Sequence, residues 1–294
     1  MSSLQTALSA FIEQEKLPET YRQTVERWYI PLAEDILRRV SRHQGTFVLG
    51  INGCQGSGKS TLVALLHILL REMMGVSSVN LSLDDFYLTR AERAKLAAEV
   101  HPLLQTRGVP GTHDVPLALE TIQALMQAGQ VAIPRFNKAM DDRFEAATWP
   151  TVMAPVDVIL LEGWCLGISA QTASALEAAI NGLESEEDST GDWRQYVNTR
   201  LDQEYRQLFD RLDMLVMLRA PGFDCVIDWR FQQEQKLAAR TTQNNTRLMS
   251  RDELIRFISH YERLTRHALA TLPAQADVVY QLNAEQGIEA RIKP

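Results

Sequence analysis

A doubly wound α/β fold built on a parallel sheet is predicted for this chain by three observations. Five short apolar runs lack polar alternation, helical patterns separate most of them, and a glycine-rich loop joins the first run to a helical one. With 294 residues, 45% of them hydrophobic, the chain can bury a sizeable core. Before the first run, Leu4, Leu8, Phe11, Ile12, Tyr21, Val25 and Trp28 fall at helical spacing, punctuated by Pro18 and Pro31. Residues 1–45 therefore read as an N-terminal helical extension and 46–294 as the main domain. The runs are FVLGIN (47–52), VNLSL (79–83), VDVILLEG (156–163), MLVMLRA (214–220) and ADVVYQL (276–282). Leu62, Leu65, Leu66, Leu69 and Met73 mark the helix after the first run, which ends at Gly75. The acidic stretch NGLESEEDSTGD (181–192) reads as a solvated surface loop.

Composition narrows the function classes. The net charge is −7 and the basic residues are dispersed, so neither a nucleic-acid surface nor an anionic-membrane surface is expected. The three cysteines, Cys54, Cys165 and Cys225, lack any C-x-x-C pairing. They suit a reducing cytosol. No run reaches membrane-spanning length and the N-terminus is not a secretory leader, so a soluble cytoplasmic protein is expected.

The glycine loop is Gly53-Cys54-Gln55-Gly56-Ser57-Gly58-Lys59-Ser60, followed by Thr61, and it matches G-x-x-x-x-G-K-[ST] between a strand and a helix. Glycines there let successive backbone N–H groups turn towards phosphates, and the new helix adds its positive end. Lys59 is expected at the β- and γ-phosphates of ATP, and Ser60 at Mg²⁺. Glu162 closes the third run and is the expected second metal ligand. A GTP switch would need N-K-x-D, whereas Asn137-Lys138-Ala139-Met140 lacks the aspartate.

After the second run, Asp84 and Asp85 stand where a sheet of this kind opens towards its ligands. A hydroxyl attacking a γ-phosphorus needs a carboxylate to orient it and accept its proton. Asp84 is assigned that role, with Asp85 supporting it and Tyr87 facing the acceptor; both aspartates also suit a helix cap.

The blocks GCQGSGKST, SLDDFYLT, RGVPGTHD, IPRFNKA and ILLEGWCLG, in this order, resemble the P-loop kinases of small molecules that include uridine kinase, phosphoribulokinase and bacterial pantothenate kinase. Within that group the chain looks most like the plant-type D-glycerate 3-kinase branch, from about Phe47 to Leu282. The resemblance implies a P-loop fold with five parallel strands in the order 2-3-1-4-5. It also implies ATP- and Mg²⁺-dependent phosphorylation of a small metabolite hydroxyl, with Asp84 at the family's catalytic aspartate. Arg107, His113 and Asp114 fall in a loop beside the acceptor, where Arg107 and His113 suit a carboxylate and Asp114 a hydroxyl or a helix cap. Arg135 and Lys138 add cations for an anionic acceptor, although Asn137 replaces the branch's aspartate and the following glycine-rich stretch shrinks to Asp141-Asp142-Arg143. The segment 228–240 resembles a lid whose Arg230, Lys236 and Arg240 would fold over the phosphates, with Trp229 as a packing anchor. Few aromatics are expected around the acceptor, which favours D-glycerate or a related hydroxy acid. Two alternatives stay open: another acceptor of the same group (pantothenate, a nucleoside or a sugar), or an ATP-binding switch with no acceptor.

Overall fold

The computed structural model describes residues 3–240 and 250–292, the side chains of 233–240 excepted. Among the described residues ten strands form: β1 (Phe47–Gly53), β2 (Ser78–Ser82), β3 (Gly129–Ala132), β4 (Phe136–Asn137), β5 (Asp142–Arg143), β6 (Thr151–Ala154), β7 (Val158–Gly163), β8 (Met214–Arg219), β9 (Val278–Leu282) and β10 (Ile288–Ile292). Six make the central sheet, in the order β10-β9-β8-β1-β7-β2. The five expected runs lie there as second, third, first, fourth and fifth, all parallel. The expectation of five strands is corrected by β10, which returns antiparallel along β9. A two-sided parallel strand has no polar alternation, and β1 is buried at every position. The edge strand β2 does alternate, with Val79 and Leu81 inward on one face and Asn80 and Ser82 half-buried on the other.

Helices cover both faces. α1 (Ser3–Gln14), α2 (Tyr21–Thr24) and α3 (Ile30–Val40), the last two joined by a π-helical turn, share one core with α4 (Lys59–Met74) and the strand residues Leu49, Ile51, Leu160, Val216 and Tyr280. The Tyr280 hydroxyl donates to the Trp28 carbonyl at 2.9 Å, so the N-terminal helices are fastened to the sheet. Gly75, at φ 65°, ends α4 as a left-handed cap. α5 (Arg90–Glu99) and α6 (Val115–Leu125) follow β2, and α6 packs with the alternate residues Val48, Ile159 and Leu161 in a second core on the opposite face.

The stretch 181–192 is not the solvated loop its composition suggests. It holds α7 (Gly182–Glu187) and the start of α8 (Asp192–Arg200), and three of its five acids have arginine partners. Glu184 pairs with Arg263 at 2.6 Å, Asp188 with Arg194 at 3.0 Å and Glu187 with Arg256 at 2.6 Å. A buried carboxylate persists only when paired, and two of these partners, Arg256 and Arg263, lie too far along the chain for a local reading to find. The chain then runs through α9 (Arg206–Phe209), α10 (Asp224–Arg240) and α11 (Arg251–Thr271), whose Arg256 and Arg263 make two of those pairs.

Candidate active site

The C-terminal ends of β1, β2 and β7 meet at a cavity of about 380 Å³. Its lining joins Gln55, Gly56, Lys59 and Ser60 of the glycine loop to Asp84, Tyr87, Arg107, Lys138, Glu162 and Arg230. Adjacent to it, across Asp84, Lys138 and Glu162, lies a recess of about 330 Å³ that Asn80, Asp85 and Arg135 also line.

The loop keeps its shape by backbone means. Gly56 and Gly58 sit at φ 82° and 90°, which side chains rarely adopt, and a Cβ at Gly56 would stand 2.6 Å from Cβ of Trp229. The Ser57 N–H and the Lys59 ammonium both donate to the Cys54 carbonyl, at 3.2 Å each. Burial pushes the Cys54 thiol up to about 12, so it remains a neutral core group. α4 starts at Lys59, with Ser60 and Thr61 in its first turn, pointing the helix's positive end at the cavity. The Ser60 hydroxyl donates to Glu162 Oε1 at 3.1 Å, and the Ser82 hydroxyl to the same oxygen at 2.9 Å. Hard oxygen donors so placed fit a hard cation such as Mg²⁺ that draws its remaining ligands from phosphate and water. Among the described residues no cluster of three or more His, Cys, Asp or Glu offers a metal an all-protein cage.

Asp84 ends β2 in a short 3₁₀ turn and receives two hydrogen bonds, from Lys138 Nζ at 2.7 Å and from the Tyr87 hydroxyl at 2.8 Å. Burial raises its pKa, but the Lys138 ammonium and these two bonds outweigh that and bring it to about 2. Its side chain is still 31% exposed, on the cavity side. Lys138 is raised in turn: burial works against its charge and Asp84 more than compensates. Asp85 turns the other way. It accepts from Arg135 at 3.0 Å and from the Phe136 N–H at 3.1 Å, fastening the β4–β5 hairpin, and burial raises it.

Two expected acceptor ligands lie elsewhere. His113 is not an available cation. It is 3% exposed behind Tyr87, whose ring stacks on it at 4.5 Å, and burial lowers it to about 4. The Tyr205 hydroxyl accepts from the Gly111 N–H and lies 2.6 Å from His113 Nδ1. That contact can be made in either neutral tautomer, and in both Nε2 is buried without a partner. Asp114 takes the helix-cap alternative: it caps α6 through the Leu117 N–H at 3.0 Å, pairs with Arg143 at 3.1 Å and does not line the cavity. Arg107 does line it, with its guanidinium paired to Asp141. Arg135 lines only the neighbouring recess. Arg230 reaches the cavity from α10, where Trp229 is the expected anchor, 1% exposed. The expected lid cations Lys236 and Arg240 lie outside the described side chains.

Sequence reasoning missed an aromatic wall. Trp164, Phe257 and Tyr261 line the cavity beside the expected Tyr87, against the expectation of few aromatics there. The Trp164 indole donates to the Gly108 carbonyl at 2.9 Å and the Tyr261 hydroxyl to the Arg107 carbonyl at 3.1 Å; any side chain at Gly108 would strike the Tyr261 phenol. Phe257 and Tyr261 sit four apart on α11, a spacing visible in the sequence whose direction was not.

Comparison with known proteins agrees with this geometry. Residues 48–181 match the model of the Phosphoribulokinase / Uridine kinase family. An uncharacterised kinase of Schizosaccharomyces pombe is 35% identical over 224 residues, which span 73% of this chain and 78% of the relative. The chain belongs to that family. This kinase is also 31% identical to the chloroplastic D-glycerate 3-kinase of Arabidopsis thaliana over 279 residues, 88% of its own length and 58% of the plant protein's. A solved D-glycerate 3-kinase of Cryptococcus neoformans superposes with a TM-score of 0.74 over 91% of this kinase and 99% of that chain; at 24% identity this bears on fold alone. Membership makes the protein a P-loop kinase, and hence an ATP-dependent phosphotransferase. Among the described residues no helix is long and apolar enough to cross a membrane.

Proposed function

We propose that the protein transfers the γ-phosphoryl group of ATP to a hydroxyl of a small hydroxy acid, D-glycerate or a close relative. The observation that carries this reading is Asp84, a carboxylate held ionised at the far wall of the cavity that Lys59 also lines. Lys59, the glycine loop from Gly53 to Ser60 and the first turn at Thr61 bind the phosphates, while Ser60 and Glu162 hold Mg²⁺. Bound Mg²⁺ supplies charge neutralisation on the β- and γ-phosphates. Asp84 orients the acceptor hydroxyl, and Arg107 and Lys138 are the cations that reach an acceptor carboxylate. Arg230 approaches from the lid side, where it can neutralise charge developing on the phosphoryl group.

A carboxylate at about 2 is a feeble proton acceptor while Lys138 holds it. An anionic acceptor drawing Lys138 to itself leaves Asp84 with burial less opposed, which strengthens it as a base when the substrate is in place. The plant relative, a D-glycerate 3-kinase by name, supports the hydroxy-acid choice. One observation favours a second reading within the family. The wall of Tyr87, Trp164, Phe257 and Tyr261 suits an acceptor with a flat or apolar body, such as a nucleoside or pantothenate. An ATP-driven switch would have no use for the Arg107 and Lys138 cations or for this aromatic wall.

ADP release measured over a panel of hydroxy acids, sugars, nucleosides and pantothenate tests these readings together. Stimulation by D-glycerate or a close analogue is the expected result. Stimulation by uridine or pantothenate alone would overturn the hydroxy-acid assignment, and ADP release indifferent to every compound would favour the switch.

A further inference from the structure

The turn between β9 and β10 reaches back to the phosphate loop. Gln286 donates from Nε2 to the Gly56 carbonyl at 2.8 Å, across 230 residues of chain. It does so from φ 68°, a left-handed conformation costly for a side chain of this kind and common only for glycine and asparagine. The turn is itself fixed: Asn283 Oδ1 accepts from the Glu285 and Gly287 N–H groups at 3.1 and 2.7 Å. A second strut ties it to α10, where the Trp229 indole donates to the Ala284 carbonyl at 2.7 Å. Trp229 also packs against Gly56 itself and precedes Arg230 on the cavity wall.

We propose that Gln286 is a positioning residue for the nucleotide, acting through Gly56. A carbonyl oxygen turned into a phosphate cradle would repel the anion. Pairing it with an amide on a turn outside the cavity keeps the Gly56 carbonyl facing away, so the cradle presents donors and no acceptor at that point. The strained backbone of Gln286 aims the amide there. Because Trp229 joins the same turn to the base of α10, one small platform sets both the phosphate loop and the approach of Arg230. The inference rests on the glycine loop binding ATP.

Its test uses the full chain and the variants Gln286→Ala, Gln286→Gly and Gln286→Glu. Each is titrated with ATP without acceptor, assayed for KM towards each substrate, and melted. Gln286→Ala is expected to weaken ATP binding roughly threefold to tenfold, the worth of one neutral hydrogen bond, with the acceptor KM unchanged. Gln286→Glu is expected to lose more, since it faces a carbonyl and nearby phosphates with negative charge. Gln286→Gly is expected to lose as much ATP affinity as Gln286→Ala yet melt no lower, because glycine accepts the positive φ. Unchanged ATP affinity in all three overturns the proposal. Equal losses towards both substrates that track the melting temperature also overturn it, by showing general damage. A wild-type chain that binds no ATP overturns the phosphate-loop reading and takes this one with it.

Discussion

The two walls of the cavity are built on different principles. The phosphate wall is one continuous segment, 53–61, working mainly through backbone dipoles, two glycines at positive φ and a helix end. The acceptor wall is assembled from separated segments and works through side chains, and its cations already have anions. On the cavity Lys138 holds Asp84 and Arg107 holds Asp141, and outside it Arg135 holds Asp85 and Arg143 holds Asp114. A wall that is neutral before its ligand arrives avoids stranding uncompensated charge in a half-buried site. It also means that counting cations overstates what an acceptor meets.

The sharpest way to break this contrast is Asp84→Asn, which keeps the shape and removes the charge. Turnover is expected to fall by about 10² to 10⁴ while ATP affinity barely moves. Asp85→Asn, whose carboxylate fastens the hairpin, should lose far less turnover. Steady-state rates beside an ATP titration decide it, and a dead Asp85→Asn with a nearly normal Asp84→Asn would show that the carboxylates are assigned in reverse. On the other wall, Lys59→Ala is expected to lower turnover by roughly 10² to 10³ and, unlike Asp84→Asn, to weaken ATP binding as well. If both variants affect ATP alike, the walls are not separate.

The contrast also sets what the sequence could disclose. The phosphate wall was legible because its chemistry is local: spacing fixes which N–H groups converge, and α4 begins at the expected Lys59. The sheet was legible from its apolar runs and its strand order from the family resemblance, but β10 was not, since IEARI carries charge and pairs only with β9. On the acceptor wall the sequence pointed to Asp84, Arg107 and Lys138 and placed Arg135, His113 and Asp114 beside them. It had no means of knowing that Asp85, Tyr205 and Arg143 would hold those three away, because each partner is brought in by tertiary packing. Trp164 and Tyr261 were invisible for the same reason: an aromatic on an apolar face reads as core until its direction is known.

Lys138 offers a finer cut. Its side chain is 61% exposed yet holds Asp84 at about 2, so Asp84 should give the wild-type kcat/KM profile no acid limb at ordinary pH. In Lys138→Ala burial loses its chief opponent, the Asp84 pKa rises, and an acid limb should appear or move up in pH. At neutral pH the loss of this charged hydrogen bond predicts a rate decrease of about tenfold to a hundredfold. A pH–rate profile of kcat/KM checks both. A profile that merely scales down, without changing shape, would mean that Lys138 serves the acceptor alone.

The smallest effect concerns stability, and it probes the layer behind the acceptor wall. His113 is neutral in the fold, lowered by burial to about 4, and ordinary, near 6.5, once the chain unfolds. Between those values the unfolded chain binds a proton that the folded chain refuses, so stability falls as pH drops from 6.5 towards 4 and the loss is complete below 4. Each pH unit inside that window costs about 1.4 kcal/mol from this group at most. His113→Asn places an amide near the old Nδ1 position, where it can still accept from the Tyr205 hydroxyl, and it cannot titrate. The variant should start less stable at pH 7, because it leaves space behind Tyr87. Its urea midpoint should then decline less steeply than the wild type's between pH 6.5 and 4, and at neutral pH its KM for the acceptor should shift little, since His113 does not line the cavity. Parallel declines would show that His113 takes up its proton in the folded state, which requires the buried Nε2 to find a partner on the acceptor side. In that case the layer behind Tyr87 belongs to the acceptor wall after all, and the wall carries one more cation than its ion pairs account for.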